Sequence, residues 1–334
     1  MISEGLFDLQ VNGYAGIDFN DPALTAAQLD HALEAMLASG VTQCLPTIIT
    51  ALPQQLSERL VALDRAVRTS RLGPRMVPGY HLEGPFLLAQ PGYSGCHPER
   101  AMVDPDVALL DVLEEGLSRP ILLITFAPER SGALHFIAEM TRRGKTISIG
   151  HSAAGFDAVR VAADMGVTLS THLGNGLPHQ LPKLENTLVA QLSEPRLAAC
   201  LIADGHHMSP QALAALIRLK GPDKCILVTD AVLGAAAPPG VYSFAGMQIE
   251  RTREGAMVQP GRVNLAGSAL CLDAAVRNTI NWTGLPPETV VAMAATAPRK
   301  AIAKSLSHHG IRLDPGTLRW SSDLQPTLEG IGAC

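Results

Sequence analysis

Eight short apolar runs punctuate residues 5–231, and amphipathic stretches lie between most of them. The runs are "GLFDLQV", "TQCLPTII", "RMVPGYHLE", "PILLITFAP", "KTISIGHS", "VTLSTHL", "AACLIAD" and "KCILVTDA". Helical patterns cover 25–39, 53–70, 104–116, 131–143, 154–165 and 209–219, with stop signals such as "LASG", "TRRG" and "ADMG". Strand followed by helix, repeated eight times, predicts a parallel sheet closed into a (β/α)8 TIM-like barrel. Residues 232–266 break the rhythm and read as β hairpins inserted after strand eight. Helix returns at 268–283 and 287–304, and the tail 305–334 is too short to be a domain by itself.

Composition narrows the function. The 334 residues carry a formal charge of −5, 47% hydrophobic and 17% charged residues, which suits a large core and gives no basic stripe for nucleic acid. No apolar run approaches the roughly 18 residues of a membrane span. The start "MISEGLFDLQ" lacks the pattern of a signal peptide, so the expected location is cytoplasmic. The six cysteines are scattered without a CxxC pair; Cys44, Cys200 and Cys225 lie in apolar runs and read as buried small hydrophobes, and no disulfide framework is expected.

In such a barrel the chemistry sits at the C-terminal ends of the strands. Polar residues collect there. Gln10 and Asn12 end strand one, Glu83 strand three, His151 strand five and His172 strand six. Asp204, Gly205, His206 and His207 follow strand seven, and Asp230 ends strand eight. Any one of them has an ordinary structural reading: a histidine in a hydrogen bond, Asp230 as a helix cap, Asp204 as a turn residue. His81 shares a strand face with Glu83 and is expected to orient its neighbours.

Together they fit a single explanation. A buried carboxylate requires a partner, and one Glu with two His suits a single zinc-like ion that keeps a position open for water. Glu83, His151 and His172 are the predicted ligands. Such an ion lowers the pKa of its water toward about 7. Asp230 is the predicted general base and then acid, and a histidine such as His207 the donor to the oxyanion. The reaction class is metal-assisted hydrolysis of an amide or similar acyl bond.

The motifs "DLQVNG", "HLEGPF", "GCHPER", "GHS", "THLGNG", "ADGHH", "VTDA" and "LAGS" occur in the order seen in the N-acetylglucosamine-6-phosphate deacetylases of the amidohydrolase superfamily. The resemblance runs from about residue 5 to about 304. It implies the amidohydrolase type of barrel, and removal of the acetyl group from N-acetylglucosamine 6-phosphate to give glucosamine 6-phosphate and acetate. It implies Glu83, His151 and His172 as metal ligands, Asp230 as catalytic acid/base, and His207 as a substrate contact that polarises the acetyl carbonyl. His97 and Cys96 would hold the sugar, Asn175 and Gly176 would line the sugar or phosphate site, and Leu265, Ala266 and Gly267 would cover the acyl group. Gln10 and Asn12 stand where many amidohydrolases carry His-x-His for a second metal, so one ion per chain is expected: zinc, with iron, manganese or cobalt as alternatives. A homodimer is expected, since the family is commonly dimeric.

The sequence departs from the family pattern in three places. "THLGNGL" lacks the aromatic residue that follows "THL" in the family. The phosphate-binding arginine aligns with Lys183, a point charge without the bidentate fork. The small β-sandwich domain is expected as a truncated remnant in the tail, without its N-terminal strands. The alternative function is a related mononuclear amidohydrolase acting on a different amide, unphosphorylated or cyclic.

Overall fold

The computed structural model describes residues 1–260 and 265–329. Parallel strands run Leu6–Val11, Val41–Ile49, Tyr80–Glu83, Ile121–Phe126, Thr146–Ile149, Leu169–Ser170, Ala198–Leu201 and Cys225–Leu227, each hydrogen-bonded to the next. These are barrel strands one to eight. The barrel closes just beyond the last strand. There the Asp230 N–H donates to the Gln10 carbonyl at 2.9 Å and the Asn12 N–H to the Ala231 carbonyl at 2.7 Å. The strands are rich in apolar residues because one face fills the barrel and the other meets helices; Ile121–Phe126 is buried at every position.

Helix starts follow their caps. Thr25 and Gln28 form a reciprocal capping box at the head of Ala26–Ala38. Asp106, Asn186 and Ser209 cap Val107–Glu114, Thr187–Ser193 and Pro210–Lys220. Thr187–Ser193 was not expected, since seven residues barely show a 3.6-residue period. Two expectations need correction at prolines. The third strand does not start at Arg75, because Pro74 opens a helical turn, Gly73–Met76, and extended pairing begins at Tyr80. The helix expected at 287–304 divides into Pro287–Ala294, Thr296–Ala301 and Ala303–His308, since Pro298 cannot continue a helix through the preceding turn.

After strand eight, Gly240–Phe244, Met247–Arg251 and Met257–Val258 form an antiparallel sheet. Its Phe244, Ile249 and Met257 pack with Ile49, Val232 and Ala266, which seats it on the rim above strands two and eight. A second small sheet joins the chain ends. Ile2–Glu4 pairs with Thr317–Trp320, which pairs with Pro326–Glu329. A strand therefore does precede the barrel, contrary to expectation; three residues are too few to show alternation. Within the ranges expected as insertion and tail, 261–264 and 330–334 lie outside the described residues. Among the described residues, no helix is long and apolar enough to cross a membrane.

Candidate active site

Strand three delivers Glu83 to the rim almost fully buried. Two residues back, His81 points the same way but sits one layer lower. Its Nε2 is 2.8 Å from Thr125 Oγ1 and its Nδ1 is 3.2 Å from Thr47 Oγ1, on the flanking strands. Burial pushes the His81 imidazole down to about 4, so it is neutral at physiological pH. Thr125, Thr171 and Ser148 continue this layer through hydroxyl contacts of 2.7 and 2.6 Å. A belt of short polar groups thus underlies Glu83, with His81 as a support.

His151, His172 and Asp230 each stand just past the end of their strand with left-handed backbone, at φ of 51°, 28° and 49°. Side chains other than glycine rarely adopt that conformation, and it turns each of the three off its strand. His172 Nε2 lies 2.9 Å and His151 Nε2 3.4 Å from Glu83 Oε1. His97 Nε2 lies 3.9 Å from Glu83 Oε2, brought back by the loop after strand three. The His97 and His172 rings meet the His151 ring edge-on, with centroids 4.6 and 4.9 Å away.

The far sides of two rings decide what the near sides need. His151 Nδ1 is 2.6 Å from the Tyr93 carbonyl, which only accepts, so Nδ1 carries the hydrogen. Thr50 donates its hydroxyl to the Glu83 carbonyl at 3.3 Å and so accepts from His97 Nδ1 at 2.9 Å. Both rings therefore turn an Nε2 lone pair toward an anionic carboxylate. Two facing acceptors require a cation or a proton between them. The donor set of carboxylate and imidazoles, with His151 and His97 each anchored through the other ring nitrogen, is the chemistry of a divalent metal site. Glu83, His97 and His151 offer ligand atoms all within 4.8 Å of one another, and His172 completes the ring around Glu83. Burial alone would raise the Glu83 carboxyl; contacts from His151 and His172 outweigh it and hold it well below the usual carboxylate range. Sequence reasoning placed His97 on the sugar and missed its closeness to Glu83, which depends on a loop closing over 14 residues.

Asp230 stands opposite, half-buried. Its Oδ1 accepts from Asn12 Nδ2 at 2.7 Å and Gln10 Nε2 at 3.1 Å. Burial, with the Glu83 charge nearby, pushes its carboxyl up to about 6. After strand seven, Asp204 Oδ1 accepts the backbone N–H of His206 and His207, and its Oδ2 takes the His207 Nδ1–H at 2.6 Å. Burial would raise Asp204, but the His207 contact prevails and lowers it. Asp204 is therefore more than a turn residue: it fixes the ring of His207.

These groups face one cavity of about 1130 Å³. Cys96, His97, Asn175, Gly176, His207, Leu265 and Gly267 line it as expected, whereas Ala266 is buried behind the wall. Gly176 has φ of 61°, and a Cβ there would come within 2.6 Å of His151 Nδ1, so only glycine fits. His206, which follows strand seven, also lines the cavity, as does His179, which was not anticipated there. Among the described residues no Lys or Arg does so. Lys183, expected beside the substrate, is exposed and does not line the cavity. The cause is local. The Asn186 amide that caps the next helix also binds the Pro182 and Lys183 carbonyls and ties this backbone into the cap.

A (β/α)8 barrel whose rim gathers a carboxylate, imidazoles and a separate aspartate defines a metal-dependent amide hydrolase of the amidohydrolase type. The chain belongs to the N-acetylglucosamine-6-phosphate deacetylase family: it is 32% identical over 334 residues to the enzyme of that name from Danio rerio, covering 97% of this chain and 79% of the relative. It is 33% identical over 304 residues to N-acetylgalactosamine-6-phosphate deacetylase of Escherichia coli O157:H7, covering 90% of this chain and 78% of the relative. The solved structure of the Mycobacterium smegmatis N-acetyl-D-glucosamine-6-phosphate deacetylase, in complex with N-acetyl-D-glucosamine-6-phosphate, superposes with a TM-score of 0.84 at 28% identity. That match covers 98% of this chain and 84% of the other. No family model matches the chain.

Proposed function

We propose that this protein hydrolyses the acetamide of N-acetylglucosamine 6-phosphate to glucosamine 6-phosphate and acetate. The observation that carries the reading is the pairing across one cavity of the Glu83–imidazole cluster with Asp230, in a chain related to deacetylases over most of its length. Glu83, His151 and His172 would hold the ion, and zinc suits these donors. A divalent ion bound there makes water acidic enough to act as a nucleophile at neutral pH.

The protein's own groups do the rest. Both protein donors to Asp230 fall on Oδ1, which leaves Oδ2 to take the proton of the attacking water and pass it to the leaving nitrogen. His207 has Nδ1–H committed to Asp204, which fixes the ring, and a proton on its Nε2 would be offered to the acetyl oxygen as negative charge develops there. His97 lines the cavity beside Cys96 and Asn175, at the edge of the Glu83 cluster where the sugar would enter. A cytoplasmic homodimer remains part of this proposal.

The test is amine release by metal-reconstituted protein from N-acetylglucosamine 6-phosphate and from the unphosphorylated sugar. Strong preference for the phosphorylated sugar is expected. Turnover of neither, with metal bound, would overturn the substrate assignment.

A further inference from the structure

Asn12 has one atom too many for a merely structural role. Its side chain is almost completely buried, yet it lines the catalytic cavity. Its Nδ2 lies 2.7 Å from Asp230 Oδ1, and a carboxylate oxygen fixes that atom as the donor. The amide oxygen is thereby left over, and Asn12 Oδ1 is buried without a hydrogen-bond partner. Buried acceptors are nearly always paired, and an exception needs an explanation.

We propose that Asn12 Oδ1 is the acceptor for the N–H of the scissile amide, and so for the leaving amine. The inference rests on the deacetylation reading. Asp230 must reach the amide nitrogen to protonate it. Asn12 is hydrogen-bonded to that carboxylate, so its oxygen borders the same part of the cavity. In the reaction the water oxygen bonds to the acyl carbon and its proton goes to Asp230. That proton then passes to nitrogen, and the C–N pair leaves with nitrogen as the bond breaks. The nitrogen keeps its original hydrogen throughout and becomes more positive as it is protonated. A hydrogen bond from that N–H to Asn12 therefore strengthens toward the transition state, which is the kind of contact that accelerates a reaction. In this chain the amide beside Asp230 thus belongs to the reacting nitrogen as well as to the carboxylate.

Gln10 is the internal control. It donates to the same Asp230 oxygen at 3.1 Å but does not line the cavity. Calorimetric titration of metal-loaded protein compares glucosamine 6-phosphate with 2-deoxyglucose 6-phosphate, which has no donor at that carbon. Asn12→Ala is expected to lose about tenfold of the preference for the amine, as for one hydrogen bond to a charged group. Gln10→Ala is expected to lose no more than about a third as much, since it changes only Asp230. In turnover, Asn12→Ala should lower kcat more than it changes KM. If Asn12→Ala does not fold, Asn12→Leu takes its place, close in size and without the amide. Equal preference losses in the two variants would overturn the assignment while leaving the deacetylase reading intact. Binding of neither sugar phosphate to the unsubstituted protein would overturn both.

Discussion

Replacing Asp8 by Asn should make the protein more stable at neutral and alkaline pH, although it removes a buried acid beneath the active site. Asp8 is fully buried in strand one. Its Oδ1 accepts the N–H groups of Thr229 and Gln10 at 3.2 Å each, and its Oδ2 is 2.5 Å from Thr229 Oγ1. Burial, opposed by these hydrogen bonds and assisted by the Asp230 charge, pushes its carboxyl from 3.8 up to about 7. The folded-state value lies above the unfolded one. Below pH 3.8 both states hold the proton and nothing is lost. Between 3.8 and about 7 the unfolded chain ionises first, and folding weakens by about 1.4 kcal/mol per pH unit. The total loss reaches roughly 4 kcal/mol at about pH 7 and stays constant above it. Asparagine never ionises, and the network accepts it. Its oxygen keeps both backbone N–H groups, its NH2 donates to Thr229 Oγ1, and the Thr229 hydroxyl turns to the Gln10 carbonyl, 3.2 Å away. Urea unfolding at pH 5 and pH 8 measures the effect. The advantage of Asp8→Asn should grow by roughly 3 kcal/mol between them, seen as a midpoint rise of roughly 0.5–1 M. A difference independent of pH, or a variant weaker at pH 8, would refute the reasoning.

Asp230→Asn should keep the metal and lower turnover at least ~100-fold; near-normal rates with full metal content would remove Asp230 from the chemistry. In the unsubstituted protein kcat/KM should fall with decreasing pH as Asp230 takes its proton, with a midpoint at or below about 6, because a bound cation favours the carboxylate. His151→Ala should lose metal and activity together, checked by metal analysis of the purified variant. Gly176→Ala should weaken metal retention with little change in global stability, since the added methyl meets His151 Nδ1; unchanged metal affinity would show that this loop yields freely. Lys183→Ala should change KM for the phosphorylated sugar by less than about twofold, in line with a solvent-facing charge, and a large rise would return this lysine to the substrate.

The barrel could be read from the sequence because its evidence is local. Apolar runs such as "ILLITF" and caps such as Thr25 and Ser209 act within a few residues. Glu83, His151, His172 and Asp230 could be placed at one rim for the same reason, since each ends a strand. What escaped were contacts made by distant parts of the chain. The bonds from Asn12 and Gln10 to Asp230 exist only because strand one meets strand eight across 218 and 220 residues. His97 comes near Glu83 only when its loop folds back, and the hydroxyl belt below the site spans four strands. That Lys183 stands outside the cavity could not be read either, because an alignment of charge says nothing of a backbone already claimed by the Asn186 cap.

The left-handed backbones of His151, His172 and Asp230 put function and robustness in competition. Glycine would adopt each of those conformations freely, whereas a side-chain-bearing residue pays about 1 kcal/mol or more. A library selected only for survival at high temperature should therefore drift first at these positions, gaining heat resistance as it loses catalysis. The residues worth holding fixed when this barrel is engineered are those its backbone is least comfortable carrying.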